Sequence, residues 1–404
     1  MYTLENLKLT VADVDITDIV SSIVFEETIF GACAGRLAIE DGRNFLEGLF
    51  DAQIHIRVRY EYFEEEVDML FYVNGITDVE MLHHAYKTYN IHLISTAEYF
   101  KNFHKLNQAY EGTSTDMIVA MMEASSPAGV VPHSISSTVG KYIAPNINAG
   151  DAINTILNAA ADSKGRGYFL FERARDNLHS HLMSISDMFH KDNLFTDVKL
   201  EQSVVGYDAD GKLDMNPIGS ATDFLVKEDS AGTFVKIKSG MYGMELNELN
   251  LSDTSYIKGK TAEGFTPVSA ICHVRSDMYD NDAQPILKYS QARRNTSVDK
   301  RKVFNKQMDV INAVPIPGLS VGELIEVVLG SSNFEDDVDY KKRHDGNWLI
   351  AGISHKGVLM DGEYKYYTDF RLLRPTSHED FSKNLITESP TKPERIDEGL
   401  RKGF

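Results

Sequence analysis

The histidines, acids and serines that could do chemistry are scattered, and few fall at spacings a reaction needs. His179 and His181 in HSHL lie two apart on one face of a predicted strand, and His190 follows nearby. An H-x-H pair can offer two nitrogens to a metal, but no third ligand is evident, and an exposed strand face explains the pair equally well. The stretch DADGKLD, Asp208 to Asp214, resembles the start of a calcium loop. It lacks the glycine at the sixth position, and Gly219 stands where the twelfth-position glutamate belongs, so a plain turn is read here. His355 and Asp369 could be joined with a serine into a triad, yet no G-x-S-x-G elbow supports it, and both residues already fit strand patterns. A P-loop, a dinucleotide fingerprint and H-E-x-x-H are absent. The 60 acidic residues make a glycosidase-like carboxylate pair available by number alone. No catalytic, cofactor-binding or metal-binding residue is assigned, and an enzyme is not expected.

Composition narrows the class. With 404 residues the chain has room for about two to four domains. Its apolar share of 42% and charged share of 25% are those of an ordinary soluble globular protein. A net charge of -19 argues against a specific nucleic-acid binder, which neutralises phosphates with clustered Lys and Arg. The longest basic cluster, ARRNTSVDKRK from Ala292 to Lys302, is short and interrupted. DNA passes an acidic wall without sticking, and solubility alone explains the charge as well. No window approaches the roughly eighteen unbroken apolar residues of a membrane helix. MYTLENLKLT lacks the basic start and apolar block of a signal peptide, so folding in a cytoplasm is expected. Cys33 and Cys272 fit a reducing compartment and are too far apart for a C-x-x-C pair.

The elements that would position these residues are mostly strands. QIHIRVRY places Ile54, Ile56, Val58 and Tyr60 on one face, the period of a half-buried strand. VDMLFYVNGI and YKTYNIHLIS, with Tyr89, Ile91 and Leu93 on one face, continue it as a meander or small barrel. The period then changes. Met117, Ile118 and Met121 are helical, with Thr113 as N-cap, Asp116 three residues on and Pro127 after the end. Ile153, Ile156, Leu157 and Ala160 mark a second helix, with Gly165 as its expected stop. Strands resume at GYFLFER and HSHLMSIS. TFVKIKSGMYGMELNELNLSD is expected to form a strand pair, and Ser290 to Val314 to begin helical and end as a strand. A Pro/Gly turn then feeds SVGELIEVVL. NWLIAGISHKGVL and YKYYTDFRLL form a hairpin across Asp361-Gly362, a strong turn signal.

The two ends of the chain share a pattern. GLFDAQIHIRV from Gly48 answers GLSVGELIEVV from Gly318, and FEEEVD from Phe63 answers FEDDVD from Phe334. Gly75-Ile76 answers Gly352-Ile353, and YKTYNIHLI from Tyr86 answers YKYYTDFRL from Tyr364. Four anchors in one order, at nearly constant spacing, argue for a duplicated unit of turn, strand, acidic hairpin tip, strand and strand. The acidic tips Glu64-Glu66 and Glu335-Asp337 are by default solvated turns. The expected fold is α+β, mainly β: two related antiparallel β-barrel, tube-like domains with an inserted α+β module. The expected division is a first β-barrel over 1-98, the module over 99-199, and a second β-barrel over 200-375 with a further insertion at about 257-300. An extended tail over 376-404 would order on a partner.

On YKTYNIHLISTAEYF, AGDAINTILNAAADSKGRGYFLFE and PGLSVGELIEVV with GNWLIAGISHKGVL and YKYYTDFRLLRP, the chain resembles the central baseplate hub protein of contractile-tailed bacteriophages. That family is related to the N-terminal half of type VI secretion spike proteins. The resemblance implies a structural virion protein, assembled in the host cytoplasm and resident in the tail baseplate. It implies a homotrimer whose six β domains adapt a sixfold tail tube to a threefold central spike. The implied partners are the tail tube or tube-initiator protein, the spike and baseplate wedge proteins. DNA would pass the axial channel without specific binding, and no stable membrane insertion or cofactor is implied. The alternatives are the hub of a non-viral contractile injection or type VI secretion machine, and a tail-associated cell-wall hydrolase.

Overall fold

The computed structural model describes residues 2–11, 13–42, 54–62, 65–83, 86–202, 218–221, 223–227, 306–329 and 344–374, with the backbone of 244–250, 256–258 and 269–275. The chain is mainly β. β1 (Tyr2–Thr3) runs through Leu4 into β2 (Glu5–Val11), on which β3 (Val14–Asp15) folds back. A 3-10 turn over Thr17–Ile19 leads to β4 (Val20–Thr28), β5 (Ala34–Asp41), β6 (His55–Tyr62), β7 (Glu65–His83) and β8 (Tyr86–Ser95). Antiparallel ladders join them in the order β4-β5-β8-β7-β6-β2. The period-two pattern holds where the sequence placed it: Ile56, Val58 and Tyr60 of β6, and Tyr89, Ile91 and Leu93 of β8, are buried in one core.

The chain then turns helical. α1 (Thr96–Phe103) starts at Ser95, whose side chain accepts the Glu98 N–H. After β9 (Lys105–Leu106) and β10 (Ala109–Thr113), α2 (Ser114–Ser125) opens with the expected cap. Thr113 Oγ1 accepts the Asp116 N–H (3.1 Å) and Asp116 Oδ2 accepts the Thr113 N–H (3.2 Å), a full capping box. β11 (Val130–Pro132), β12 (Val139–Ile143) and β13 (Ile147–Asn148) precede α3 (Ala149–Leu157). The helix expected to run to Gly165 is shorter than its sequence pattern implies, because α3 stops at Leu157. Asp162 Oδ1 accepts the N–H groups of Lys164 and Arg166, and this side-chain-held turn, in which Gly165 takes φ 78, replaces a longer helix. β14 (Tyr168–Arg173), β15 (His179–Ser184), α4 (Ile185–Met188) and β16 (Leu194–Gln202) follow. The β14–β15 pair faces two cores, with Tyr168 and Leu182 among the helices and Phe169, Phe171 and Met183 in the next β layer.

That layer comprises β17 (Ser220–Ala221), β18 (Asp223–Lys227) and four later strands; between them in the chain a three-stranded sheet forms from β19 (Met244–Asn250), β20 (Tyr256–Lys258) and β21 (Ser269–Arg275). β22 (Lys306–Ala313), β23 (Leu324–Val328), β24 (Gly346–Met360) and β25 (Glu363–Arg374) complete it. Asp361 (φ 54) and Gly362 (φ 84) make the two-residue turn read from the sequence. β16 and β23 are parallel, and β23-β24-β25-β22-β18 are antiparallel. The long β24–β25 hairpin serves both β layers. Trp348, Ile350, Leu372 and Leu373 sit in the second core, while Tyr364 and Tyr366 sit in the first, where β24 also pairs β4 and β25 pairs β1. Phe63, Glu64, the FEDDVD phrase at 334–339, the loop at 208–214, the strand stretch before Met244, the expected helical start at 290–305 and the tail after 375 lie outside the described residues.

The registers bear directly on the duplication. β6-β7-β8 and β23-β24-β25 are both antiparallel meanders. Ile56 pairs Phe71 in the first, and Ile325 pairs Trp348 in the second. The β7–β8 ladder slips between Val73↔Leu93 and Gly75↔His92; the β24–β25 ladder slips between Ile350↔Leu372 and Gly352↔Arg371. A bulge thus precedes a glycine at the corresponding place in each meander. Two sequence anchors move by one residue. Leu93 matches Leu372, so Tyr86 matches Lys365 instead of Tyr364. Ile56 matches Ile325, so the match from Gly48 to Gly318 shifts likewise. A one-residue slip exchanges the two faces of a strand, and only the shifted alignment keeps buried Ile56 and Val58 on buried Ile325 and Val327.

Candidate functional site

The buried charges converge where the first β layer, the helical module and the second β layer meet. Along β4 the inward phase is Ile23, Phe25, Glu27, so a carboxylate occupies an apolar position, only 2% exposed. Glu27 Oε1 lies 2.5 Å from His355 Nε2 on β24, and Oε2 accepts the N–H of Ala174 from the module (2.8 Å). The other ring nitrogen of His355 meets the Tyr366 hydroxyl at 2.6 Å, and Phe25 stacks on the imidazole at 4.4 Å. One carboxylate therefore ties β4 to the β24–β25 hairpin, which serves both β layers, and to the module. The adjoining cavity, walled by Glu27, Tyr60, His355 and Tyr366, measures about 40 Å³, space for a few waters at most.

A second buried acid sits across the junction. Glu172 on β14 accepts the Cys33 N–H through Oε2 (2.9 Å), while Oε1 is buried without a hydrogen bond. Burial pushes its pKa up from 4.5 to about 7, against the pull of Lys101, Ser95 and the Cys33 N–H. A carboxyl raised in the folded state stabilises the fold fully below its unfolded value. That contribution is lost as pH rises through the folded value. Between pH 4.5 and 7 it therefore declines, by on the order of 3 kcal/mol for the whole span. Glu172→Gln is expected to flatten this decline, visible as a difference in urea midpoint from the parent that grows as pH rises from 5 to 7.

Beside it, Arg173 Nε donates to Val321 O (3.0 Å), and its guanidinium lies 3.8 Å from Glu323. Gly322 (φ 81) packs so tightly that a Cβ there would fall 2.6 Å from Phe171 Cζ. Asn193 Nδ2 donates to Gly322 O (2.7 Å). The Pro/Gly turn read from the sequence is thus the seat on which the module rests.

The histidines go elsewhere than an H-x-H site requires. His179 is exposed, whereas His181 is buried and meets His133 at 3.0 Å, with Asp176 Oδ2 2.9 Å from its other nitrogen. Burial, then the neighbouring His181 and Arg173, push His133 down to about 3. His190 accepts the Asp192 N–H as a cap. Among the described residues no group of three or more His, Cys, Asp or Glu side chains is placed to hold a metal ion. The triad does not assemble: His355 faces Glu27 and Tyr366, while Asp369 bonds Lys356 and the Asn312 N–H. Gly219 takes φ 80 against Lys199 O, a backbone role. Glu27, Glu172 and Arg173 are functional candidates that the sequence patterns did not single out; the signal available was a charge at an inward position of an alternating strand.

This architecture of bulged meanders around a helical insert is the fold of tail proteins. A tail protein from Neisseria meningitidis MC58 matches with a TM-score of 0.55 at 12% identity, over 92% of this chain and 97% of that one. The 43 kDa tail protein of prophage MuSo2 from Shewanella oneidensis matches with a TM-score of 0.56 at 11% identity, over 91% of this chain and 98% of that one. A component of the type VI secretion system from E. coli matches with a TM-score of 0.49 at 9% identity, over 96% of this chain and 79% of that one. No known protein family matches the sequence, and no curated protein matches it. The solved structures that share the fold at a TM-score above 0.5 are tail proteins, the broad class in which the sequence found its resemblance. Among the described residues no helix is long and apolar enough to cross a membrane.

Proposed function

We propose that the chain is a structural subunit of a tail baseplate hub, a homotrimer that presents six related β domains and so adapts a sixfold tail tube to a threefold spike. The observation that carries this is the matched pair of meanders, each with its bulge before Gly75 or Gly352. A trimer of a duplicated unit offers sixfold contacts on one side and threefold on the other. Each unit is a small barrel. In support, the first set of ladders runs from β24 through β4, β5, β8, β7, β6 and β2, and β1, which leads into β2, pairs β25, the neighbour of β24. The domain division at 98/99 and 199/200 describes the sequence units, with the β24–β25 hairpin reaching across. Baseplate wedge proteins surround the ring, DNA passes its axis, and the chain has no catalytic task. Light scattering of the purified chain, alone and with spike, tests this: a mass of three chains is expected, and a monomer under both conditions would count against it.

Two smaller expectations follow from the trimer. Replacing Glu64, Glu65 and Glu66 by alanine should weaken trimer formation if the acidic tips meet neighbours; unchanged assembly would make them solvated turns. Removing the residues after Pro375 should weaken capture of the spike in a pull-down while leaving the melting temperature of the chain within about 2 °C, the result expected if the tail orders only on its partner.

A further inference from the structure

The β layer around the first core has two ends. One is occupied by the β14–β15 turn: Ala174 and Leu178 enter the core there, and Asn177 Oδ1 accepts the Asp68 N–H (3.1 Å). The registers define the other. Val358 of β24 lies opposite Ser22 of β4, Val20 opposite Ile39 of β5, and Asp41 opposite Lys87 of β8, which turns back to β7 at His83↔Tyr86. The strand ends at His83↔Tyr86 and Met360↔Glu363, where the β7–β8 and β24–β25 hairpins turn back, therefore lie at the same end. The Tyr364 hydroxyl, donating to Thr17 O (3.0 Å) and Val20 O, brings the segment after β3 there too.

Apolar side chains stand out at this end, where turns ordinarily carry polar ones. Met81 is 67% exposed, Val14 55%, Val79 54%, Met360 44% and Leu359 40%. These are five of the eleven large apolar residues exposed among the described residues, so they are gathered and not scattered. Val79 is held out by the backbone. Asp78 takes φ 54, the ladder slips between Thr77 and Glu80, and Asn90 Nδ2 fixes the Asp78 carboxylate at 2.8 Å. The two turns carry Asp78, Glu80, Asp361 and Glu363 against Lys87 and Lys365, an acidic surplus. Such a surface repels nucleic-acid phosphates and anionic headgroups, and is complementary to a protein surface with apolar pockets edged by Lys and Arg.

We infer that this end is a docking face for such a protein, and that in the hub proposed above, on which this rests, the occupant is the tube-side ring. The two turns are equivalent hairpins of the two meander copies. Three chains therefore present six of them in one direction, the number a sixfold partner needs and a threefold spike does not.

Peroxide oxidation of methionine, read by mass spectrometry, tests the face. In the free chain Met81 and Met360 convert to sulfoxide quickly, while buried Met69 and Met117 lag. In tails purified from the source organism, both exposed methionines are expected to react about tenfold more slowly than in the free chain. Oxidation at the free rate in tails that contain the chain overturns the docking face but leaves the hub function standing. Protection of one methionine alone overturns the six-turn arrangement. Tails that lack the chain overturn the hub function, and the docking face falls with it.

Discussion

Replacing Glu27 by alanine is expected to lower the unfolding free energy by about 3–5 kcal/mol, the range for removing one partner of a buried, hydrogen-bonded charge. The carboxylate is bonded to the β24–β25 hairpin through His355 Nε2 and to the module through the Ala174 N–H. Its loss leaves a buried N–H without an acceptor and an imidazole without its acid, and each such orphan costs about 1–3 kcal/mol. Phe25 stacks on the imidazole face, and the adjoining cavity measures about 40 Å³. Glu27→Gln keeps an acceptor for Ala174 and should cost less, about 1–2 kcal/mol. Urea unfolding of the three proteins at one pH checks the order. An alanine variant within 0.5 kcal/mol of the parent, roughly the spread of ordinary surface changes, would show that the junction does not depend on this group.

Trp348→Ala should be as costly, about 3–5 kcal/mol, as expected for emptying the space of a large buried aromatic. Trp348 is fully buried in the second core, its Nε1–H donates to His344 O at 2.7 Å, and the Arg374 guanidinium lies 5.5 Å from its ring centroid. The proposed duplication makes a sharper forecast. Phe71 holds the equivalent place in the first meander, opposite Ile56 as Trp348 is opposite Ile325. Trp348→Phe should therefore cost only about 1–2 kcal/mol, mostly the lost indole hydrogen bond and a small void. Thermal unfolding of both variants measures this. If phenylalanine proves as damaging as alanine, the two positions do not share an environment and the equivalence of the meanders is weakened.

Local signals in the sequence account for much of the fold. The alternation in QIHIRVRY and YKTYNIHLIS marks strands and their inward faces, Thr113 with Asp116 marks a helix start to the residue, and Asp361-Gly362 marks a hairpin turn. In each, a few neighbouring residues decide the backbone. The match between the two meanders is legible as an order of anchors but not as a register. Turn and strand vocabularies tolerate a slip of one, and only cross-strand partners reveal it. The end of α3 is hidden because a side-chain turn at Asp162 competes with a glycine stop, and both use common residues. The junction is the least legible part. Glu27 reads as one of many acids until β4 is known to face inward at that position, and its partner His355 lies far along the chain. Nor does the sequence show that one hairpin, β24–β25, completes both β layers.

The central claim is that three chains bring two copies of one β unit into a ring of six. Electron-microscopy class averages of the chain bound to spike, computed without imposed symmetry, test it most directly. An open ring of six lobes of similar size is expected when viewed down the axis. A ring with three lobes, or particles of a single 45.3 kDa chain, would contradict it.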